Sequence, residues 1–236
     1  MRSRGSEPAA AEPAAAFDVI GTLFSLDRTR QALAALGAPP TALDLWFAQG
    51  LRDAFAWSHA GQYRPLRDVL GAALPRTLRR MGVEVGSSES EIVMRTFAEL
   101  DPAPGAAEAC RELAERGWRL MTLTNGGDAP TRELLARSGL AGYFTDVLSC
   151  DAVRKTKPHP DTYRMARERA ASDELWMIAA HAWDVAGASA AGLRTAWVGS
   201  MEGEYLSIYP EPNIRADDLL EAARAILAVH GRSSGG

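Results

Sequence analysis

The sequence predicts an α/β protein: a parallel sheet covered by helices, with a helical insert placed straight after the first strand. Two observations carry that prediction. From residue 103 onward, short apolar runs alternate with helix-sized amphipathic stretches, and strands alternating with helices call for a parallel sheet covered on both faces. From residue 27 to 102, helical periodicity runs almost unbroken instead. A chain of 236 residues has room for one sizeable domain plus such an insert.

The elements follow in order. Residues 14–20 read as a buried strand, and Gly21 and Asp27 mark the turn out of it. Helical spacing then covers 28–36, 42–59, 66–81 and 89–100, with turn signals at residues 37–40, Gly61 and Gly82. Asp101-Pro102-Ala103-Pro104-Gly105 is the return linker, and Cys110 falls on a further helical stretch. Residues 119–124 form a strand running into Asn125-Gly126-Gly127, and Asp128 is placed to cap a helix through Arg137 that Gly139 closes. Next come a strand over 143–149, a helix opened by Pro160 and running to 171, and a strand over 175–180. A helix over 184–191 ended by Gly192, a strand over 194–198 and an amphipathic helix over 216–230 complete the chain. The expected division is a disordered arm over 1–14, a core over 15–26 and 103–230, a helical cap over 27–102 and a flexible tail over 231–236. A helical cap beside the first strand's end would act as a lid, excluding water and lining a pocket. No internal repeat is visible.

A formal net charge of −4 argues against nucleic acid or an anionic membrane as the main partner. Lys155 and Lys157 are the only lysines; every other base is arginine. Cys110 and Cys150 make neither a disulfide framework nor a zinc pattern, and read as reduced thiols in a cytoplasmic protein. No apolar run approaches the roughly 18 residues that span a bilayer. The first 15 residues mix Arg, Glu, Ala and Pro without a continuous apolar stretch, a poor signal peptide.

Four segments carry chemistry. In Phe17-Asp18-Val19-Ile20-Gly21-Thr22-Leu23-Phe24, Asp18 ends a buried strand at the sheet edge where open α/β folds bind ligands. A carboxylate there serves as a nucleophile or merely caps the next segment. In Leu123-Thr124-Asn125-Gly126-Gly127, a hydroxyl, an amide and glycine N–H groups make either an anion cradle or an ordinary strand-to-helix turn. Lys157 precedes Pro158, which favours extended backbone and aims the side chain toward a nucleophile or a substrate anion; Lys155 reads as part of a solvated loop. Asp184 follows Ala182-Trp183 as either a helix N-cap or a general base. His181 reads as a buried structural histidine or a site residue, and Trp183 is placed beside the pocket.

In their order and spacing these segments resemble the haloacid dehalogenase superfamily over about residues 17–227, and most closely its type II (S)-2-haloacid dehalogenases. The resemblance rests on Phe17-Asp18 through Phe24, Leu45-Trp46, Lys157-Pro158 and Ala182-Trp183-Asp184. It implies a Rossmann-like core with an inserted helical cap. It also implies metal-independent hydrolysis of a small 2-haloacid: Asp18 displaces halide to form an ester, and Asp184 activates the water that hydrolyses it. Thr124 and Asn125 would hold the substrate carboxylate, Lys157 would stabilise the acids, and Ile20, Phe47, His181 and Trp183 would contact the substrate.

The chain departs from that subgroup at several positions. Ile20 stands where members carry tyrosine, and Phe47 where they carry the arginine that helps capture halide. Ala179 and His181 replace a serine and an asparagine, so His181, or Arg52 one turn beyond Phe47, is a candidate replacement charge. Two further readings stay open. A phosphatase of the superfamily would need magnesium and an acid where Ile20 stands, and a phosphonate hydrolase would need a cap lysine that residues 27–102 lack. The other is a binding protein that has kept the fold and lost turnover. The implied partner is a small-molecule substrate, with a homodimer possible by analogy to relatives.

Overall fold

The computed structural model describes residues 12–233; most of the expected N-terminal arm and the last three residues of the expected tail lie outside them. β1 (Ala14–Phe17) is wholly buried, with three alanines small enough for close packing on both faces. It lies between β2 (Arg119–Thr124) and β4 (Leu175–Ala179). With β3 (Phe144–Ser149), β5 (Arg194–Val198) and β6 (Ile214–Ala216), the described strands form one parallel sheet of order β3-β2-β1-β4-β5-β6. The strand order reverses direction between β1 and β4, and in such sheets the crevice beyond the carboxyl ends at that point holds the ligand.

Period-two alternation sorts the strand side chains onto two faces. Ala14, Ala16, Met121, Leu123 and Met177 pack with α7 (Pro160–Ala170) and α8 (Ala182–Ala190). Ala15, Phe17, Trp176 and Ile178 join α5 (Ala106–Glu115) and α9 (Leu219–Ser233). The first turn out of β2 leads into α6 (Asp128–Arg137).

Between β1 and β2 lie α1 (Asp27–Ala35), α2 (Ala42–His59), α3 (Leu66–Arg80) and α4 (Ser87–Arg95). Leu33, Trp46, Leu70, Leu74 and Leu78 supply their shared core. Two buried hydrogen bonds lock α2 on α3: Trp46 Nε1 donates to Leu70 O at 2.9 Å, and Thr77 Oγ1 to Gln49 Oε1 at 3.0 Å. A Cβ on Gly50 would strike the Leu70 side chain, so a glycine there permits the close crossing. The insert is also tied to the loop before α7. Ser58 Oγ accepts from Thr156 N at 3.2 Å, and the Tyr63 hydroxyl donates to Asp151 Oδ1.

Several boundaries differ from the sequence expectation, each for a local reason. β1 stops at Phe17, because Gly21 at φ +85° folds the chain back so that Phe24 N reaches Val19 O at 2.9 Å. α4 ends at Arg95 and a single tight turn over Thr96–Ala98 follows, with Thr96 Oγ1 donating to Val93 O at 2.6 Å. Asp128 is the first residue of α6 rather than its cap, and its carboxylate pairs with Arg132 at 2.9 Å. β6 is only three residues long, too short for a periodic signal. α9 begins at Leu219, where Asp218 Oδ1 accepts from Glu221 N at 2.8 Å, and it continues through Gly231 to Ser233 rather than ending at 230. Cys110 and Cys150 are free and buried, and burial pushes both thiols up to about 12. Among the described residues, no helix is long and apolar enough to cross a membrane.

Candidate active site

Three strand ends and one loop converge beyond the sheet. Asp18 follows β1 directly and is almost fully buried. Its Oδ1 accepts from Lys157 Nζ at 2.8 Å and its Oδ2 from Thr22 Oγ1 at 2.6 Å. Thr22 Oγ1 in turn accepts from Ala180 N at 2.9 Å, which fastens the turn after β1 to the end of β4.

Lys157 is completely buried, and all of its ammonium donors are satisfied. Besides Asp18, Nζ donates to Leu123 O at 2.8 Å and to Asp184 Oδ2 at 2.5 Å. Its backbone N–H donates to Asn125 Oδ1 at 2.8 Å, so the residue after β2 fixes the lysine loop. Asp184 is the third residue of α8 and also wholly buried, and Tyr163 on α7 donates to its Oδ1 at 2.6 Å. The N-cap reading of Asp184 is therefore replaced: His181 holds the cap position and Asp184 faces inward.

One ammonium between two carboxylates divides them electrostatically. Burial alone would raise Asp18, but Lys157 above all, then His181 and the hydrogen bonds from Lys157 and Thr22, bring it below the usual carboxylate range. Burial and the neighbouring Asp18 charge hold Asp184 above that range, against the pull of Lys157 and Tyr163. Burial opposes the Lys157 charge, yet the two carboxylates outweigh it and raise the lysine.

A small gap of about 10 Å³ lies over Asp18, walled by Ile20, Phe47, Leu51, Thr124 and Asn125 among others. Phe47, Leu51, His181 and Trp183 also wall an adjoining cavity of about 490 Å³ under α2. His181 stacks on Trp183 at 5.2 Å and 18° between rings, and Phe47 lies 6.0 Å from its ring. Phe55 meets Trp183 edge-on at 4.9 Å. Of the other aromatics in the insert, Trp46 is core and Trp57 is half exposed. Ile20 and Leu66 wall both the gap and a second cavity of about 150 Å³ between α3, α4 and α6.

The structure thus brings Asp18, Lys157, Asp184, Thr124, Asn125, Ile20, Phe47, His181 and Trp183 to one place. Arg52 does not join them: it is exposed, pairs with Asp53 at 2.7 Å and only borders the larger cavity. Lys155 is half-buried in the loop, outside the cluster. Thr124 Oγ1 accepts from Gly126 N at 2.9 Å, so part of the expected glycine cradle is spent on the turn itself.

Sequence reasoning passed over Thr22, Tyr163 and Glu202. Thr22 was within reach, since it sits in the Asp18 run. Tyr163 is six residues after Lys157 on a helix and carries no local signal. Glu202 comes from the loop after β5, where it accepts from Ala182 N at 3.0 Å.

A model of the haloacid dehalogenase-like hydrolases matches residues 13–192. Haloacetate dehalogenase H-2 of Moraxella sp. (strain B) is 29% identical over 189 residues, 78% of this chain and 84% of that protein. The (S)-2-haloacid dehalogenase of Xanthobacter autotrophicus is 32% identical over 202 residues, 82% of this chain and 78% of that protein. The solved L-2-haloacid dehalogenase of Xanthobacter autotrophicus with chloropropionic acid covalently bound superposes with a TM-score of 0.82 at 25% identity, covering 92% of this chain and 98% of that one. The family match runs from just before β1 to the end of α8, the same stretch that supplies Asp18, Lys157 and Asp184, and the chain belongs to the haloacid dehalogenase-like hydrolases.

Proposed function

We propose that this hydrolase releases halide from small 2-haloacids without a metal, through an ester on Asp18. The observation that carries the reading is the fully buried Lys157, whose ammonium holds Asp18 at 2.8 Å and Asp184 at 2.5 Å at the foot of an apolar gap. The names of the relatives supply the substrate class: haloacetate and (S)-2-haloacids.

In the first step an Asp18 oxygen attacks the halogen-bearing carbon. A C–O bond forms, the C–halogen bond breaks, and halide leaves with the bonding pair. Two anions must meet, so fixed donors have to offset their repulsion. Lys157 and Thr22 do this for Asp18. Thr124, whose oxygen already accepts from Gly126 N, keeps its O–H to donate to the substrate carboxylate beside the Asn125 amide. In the second step Asp184 takes a proton from water as its oxygen attacks the ester carbonyl of Asp18. The acyl C–O bond breaks, Asp184 returns the proton to the departing alkoxide to give the 2-hydroxyacid, and the proton left on the Asp18 carboxyl is lost to solvent. The insert serves as the lid: Phe47, Leu51 and Leu66 cover the gap and exclude bulk water.

The donor set does not fit a divalent cation. Ile20 offers no carboxylate, its carbonyl faces His181 Nε2 at 3.2 Å, and Asp18 Oδ1 and Asp184 Oδ2 are both taken by the Lys157 ammonium. Among the described residues, no three His, Cys, Asp or Glu side chains converge as a metal set.

The test is halide release from chloroacetate and 2-chloropropanoate without added metal. Asp18→Asn is expected to lose activity by on the order of 10⁴-fold or more, the scale at which deleting a nucleophile acts. Equal rates for the two proteins would end the reading.

Ile20 sets substrate length in the same picture, because it stands between the gap over Asp18 and the 150 Å³ cavity. Ile20→Ala is expected to raise the kcat/KM ratio of 2-chlorobutanoate over 2-chloropropanoate by roughly tenfold, the scale of one methylene accommodated. Steady-state kinetics on the two acids checks this.

A further inference from the structure

His181 is enclosed by acceptors. Its Nε2 lies 3.2 Å from Ile20 O, a carbonyl that can only accept, and 4.0 Å from Asp18 Oδ2. On the other side Nδ1 lies 3.5 Å from Glu202 Oε1. A neutral imidazole carries one N–H and would leave one ring nitrogen facing an acceptor lone pair to lone pair. Opposite an ionised Glu202, only the doubly protonated ring satisfies both sides. The side chain is about 5% exposed, and a cation that deep needs a partner.

Glu202 is built to be that partner. Its Oε2 accepts from Ala182 N at 3.0 Å, the first N–H of α8, so the loop after β5 is fastened to the start of that helix. The loop carrying it lies close to the turn after β1, since a Cβ on Gly21 would collide with Met201 Sδ and come within 3.1 Å of His181 Nε2. Other charges facing the ring come from every side. Asp18 stands on the turn after β1, and Asp184 in the first turn of the helix that His181 caps. Lys157 Nζ is 6.0 Å from the Trp183 ring on which His181 stacks, and Asp44 and Arg52 of α2 border the same cavity. Asp18 and Glu202 are the carboxylates paired with the ring itself, and together they raise it above its ordinary value against the effect of burial.

We infer that Glu202 is a positioning residue that holds His181 as an imidazolium in the wall of the gap, where its charge offsets the negative charge passing from Asp18 to the departing halide. The catalytic half of this inference rests on the dehalogenase reading; the pairing of Glu202 with His181 does not. Phe47 gives this wall no charge, so the cation comes from the N-cap of α8 rather than from α2.

The test uses the whole chain in two measurements. Imidazole ¹⁵N resonances followed across pH report His181 directly, with the signal assigned by its loss in His181→Asn. In the unmodified protein His181 is expected to remain protonated at pH 7. Glu202→Gln keeps an acceptor for Ala182 N but removes the charge, and is expected to lower the His181 midpoint by about one pH unit. The kcat/KM profile for chloroacetate should move with it. The alkaline limb of Glu202→Gln should fall about one pH unit earlier, giving roughly a tenfold deficit at pH 8 that shrinks as the buffer is acidified.

A His181 that is neutral at pH 6.5 in the unmodified protein overturns the inference with no variant needed. So does a midpoint that Glu202→Gln leaves in place, or a deficit equal at all pH values, which would mark Glu202 as merely structural. If no halide is released from any substrate while the midpoint shifts as stated, the dehalogenase reading fails and the Glu202–His181 pair stands.

Discussion

Lys157→Met is expected to slow halide release by roughly 10³-fold and to destabilise the chain by about 3–5 kcal/mol, the scale on which removing one member of a buried ion cluster acts. The side chain is wholly buried, and its ammonium reaches oxygens of Asp18, Leu123 and Asp184 at 2.8, 2.8 and 2.5 Å. Methionine fills the volume but leaves two carboxylates with no cation between them. They would then share a proton, because two like charges that close cannot both ionise in a buried site. The nucleophile is thereby lost even though Asp18 itself is unchanged. Raising the pH should not restore it, since ionising the second carboxylate works against the same repulsion. Lys157→Arg is expected to fail as well. A planar guanidinium is larger than an ammonium and cannot occupy a point within 2.8 Å of those three oxygens. Urea unfolding and halide release measured on the same preparations check both effects. A fully active Lys157→Met protein would remove the ion cluster from the mechanism.

How much of this was legible in the sequence depends on how local each feature is. The strand over 119–124 and the helix over 42–59 match β2 and α2, and the helix ending at Arg137 matches α6 except that Asp128 is its first residue and not its cap, because period, glycine turns and chain breaks are all local signals. Asp18 at a strand end was legible for the same reason. The parallel sheet followed from alternation, and its order places the turn after β1 beside the end of β4. What stayed hidden is contact across the chain. Thr22 joins Ala180 over a separation of 158 residues, and Tyr163 reaches Asp184 over 21. Neither spacing leaves a periodic trace. Glu202 lies in an irregular loop, so nothing in its neighbourhood marks it as the partner of His181. α8 was expected to begin at Asp184 because an acid is a common cap. It begins two residues earlier, since Glu202 takes the first N–H and frees Asp184 to turn inward.

The opposite displacement of the two acids leads to an expected separation of the two chemical steps. Asp18 is held below the usual carboxylate range and stays ionised as the solution is acidified. Asp184 is held above that range and takes up its proton first. Acidification should therefore stop ester hydrolysis while attack by Asp18 continues, and ester should accumulate on the enzyme at low pH and disappear on return to neutral pH. Asp184→Asn should reproduce that state at every pH. Its amide oxygen can still accept from Tyr163 but cannot take a proton from water, and losing a general base lowers turnover by about 10²–10⁴-fold. The expected record is a burst of one halide per chain followed by near silence, with intact-mass analysis showing a protein one carboxymethyl group heavier after chloroacetate. Digestion should place the added group on the peptide containing Asp18. A variant that turns over at full rate would remove Asp184 from the hydrolytic step, and an adduct on any other peptide would move the nucleophile away from Asp18.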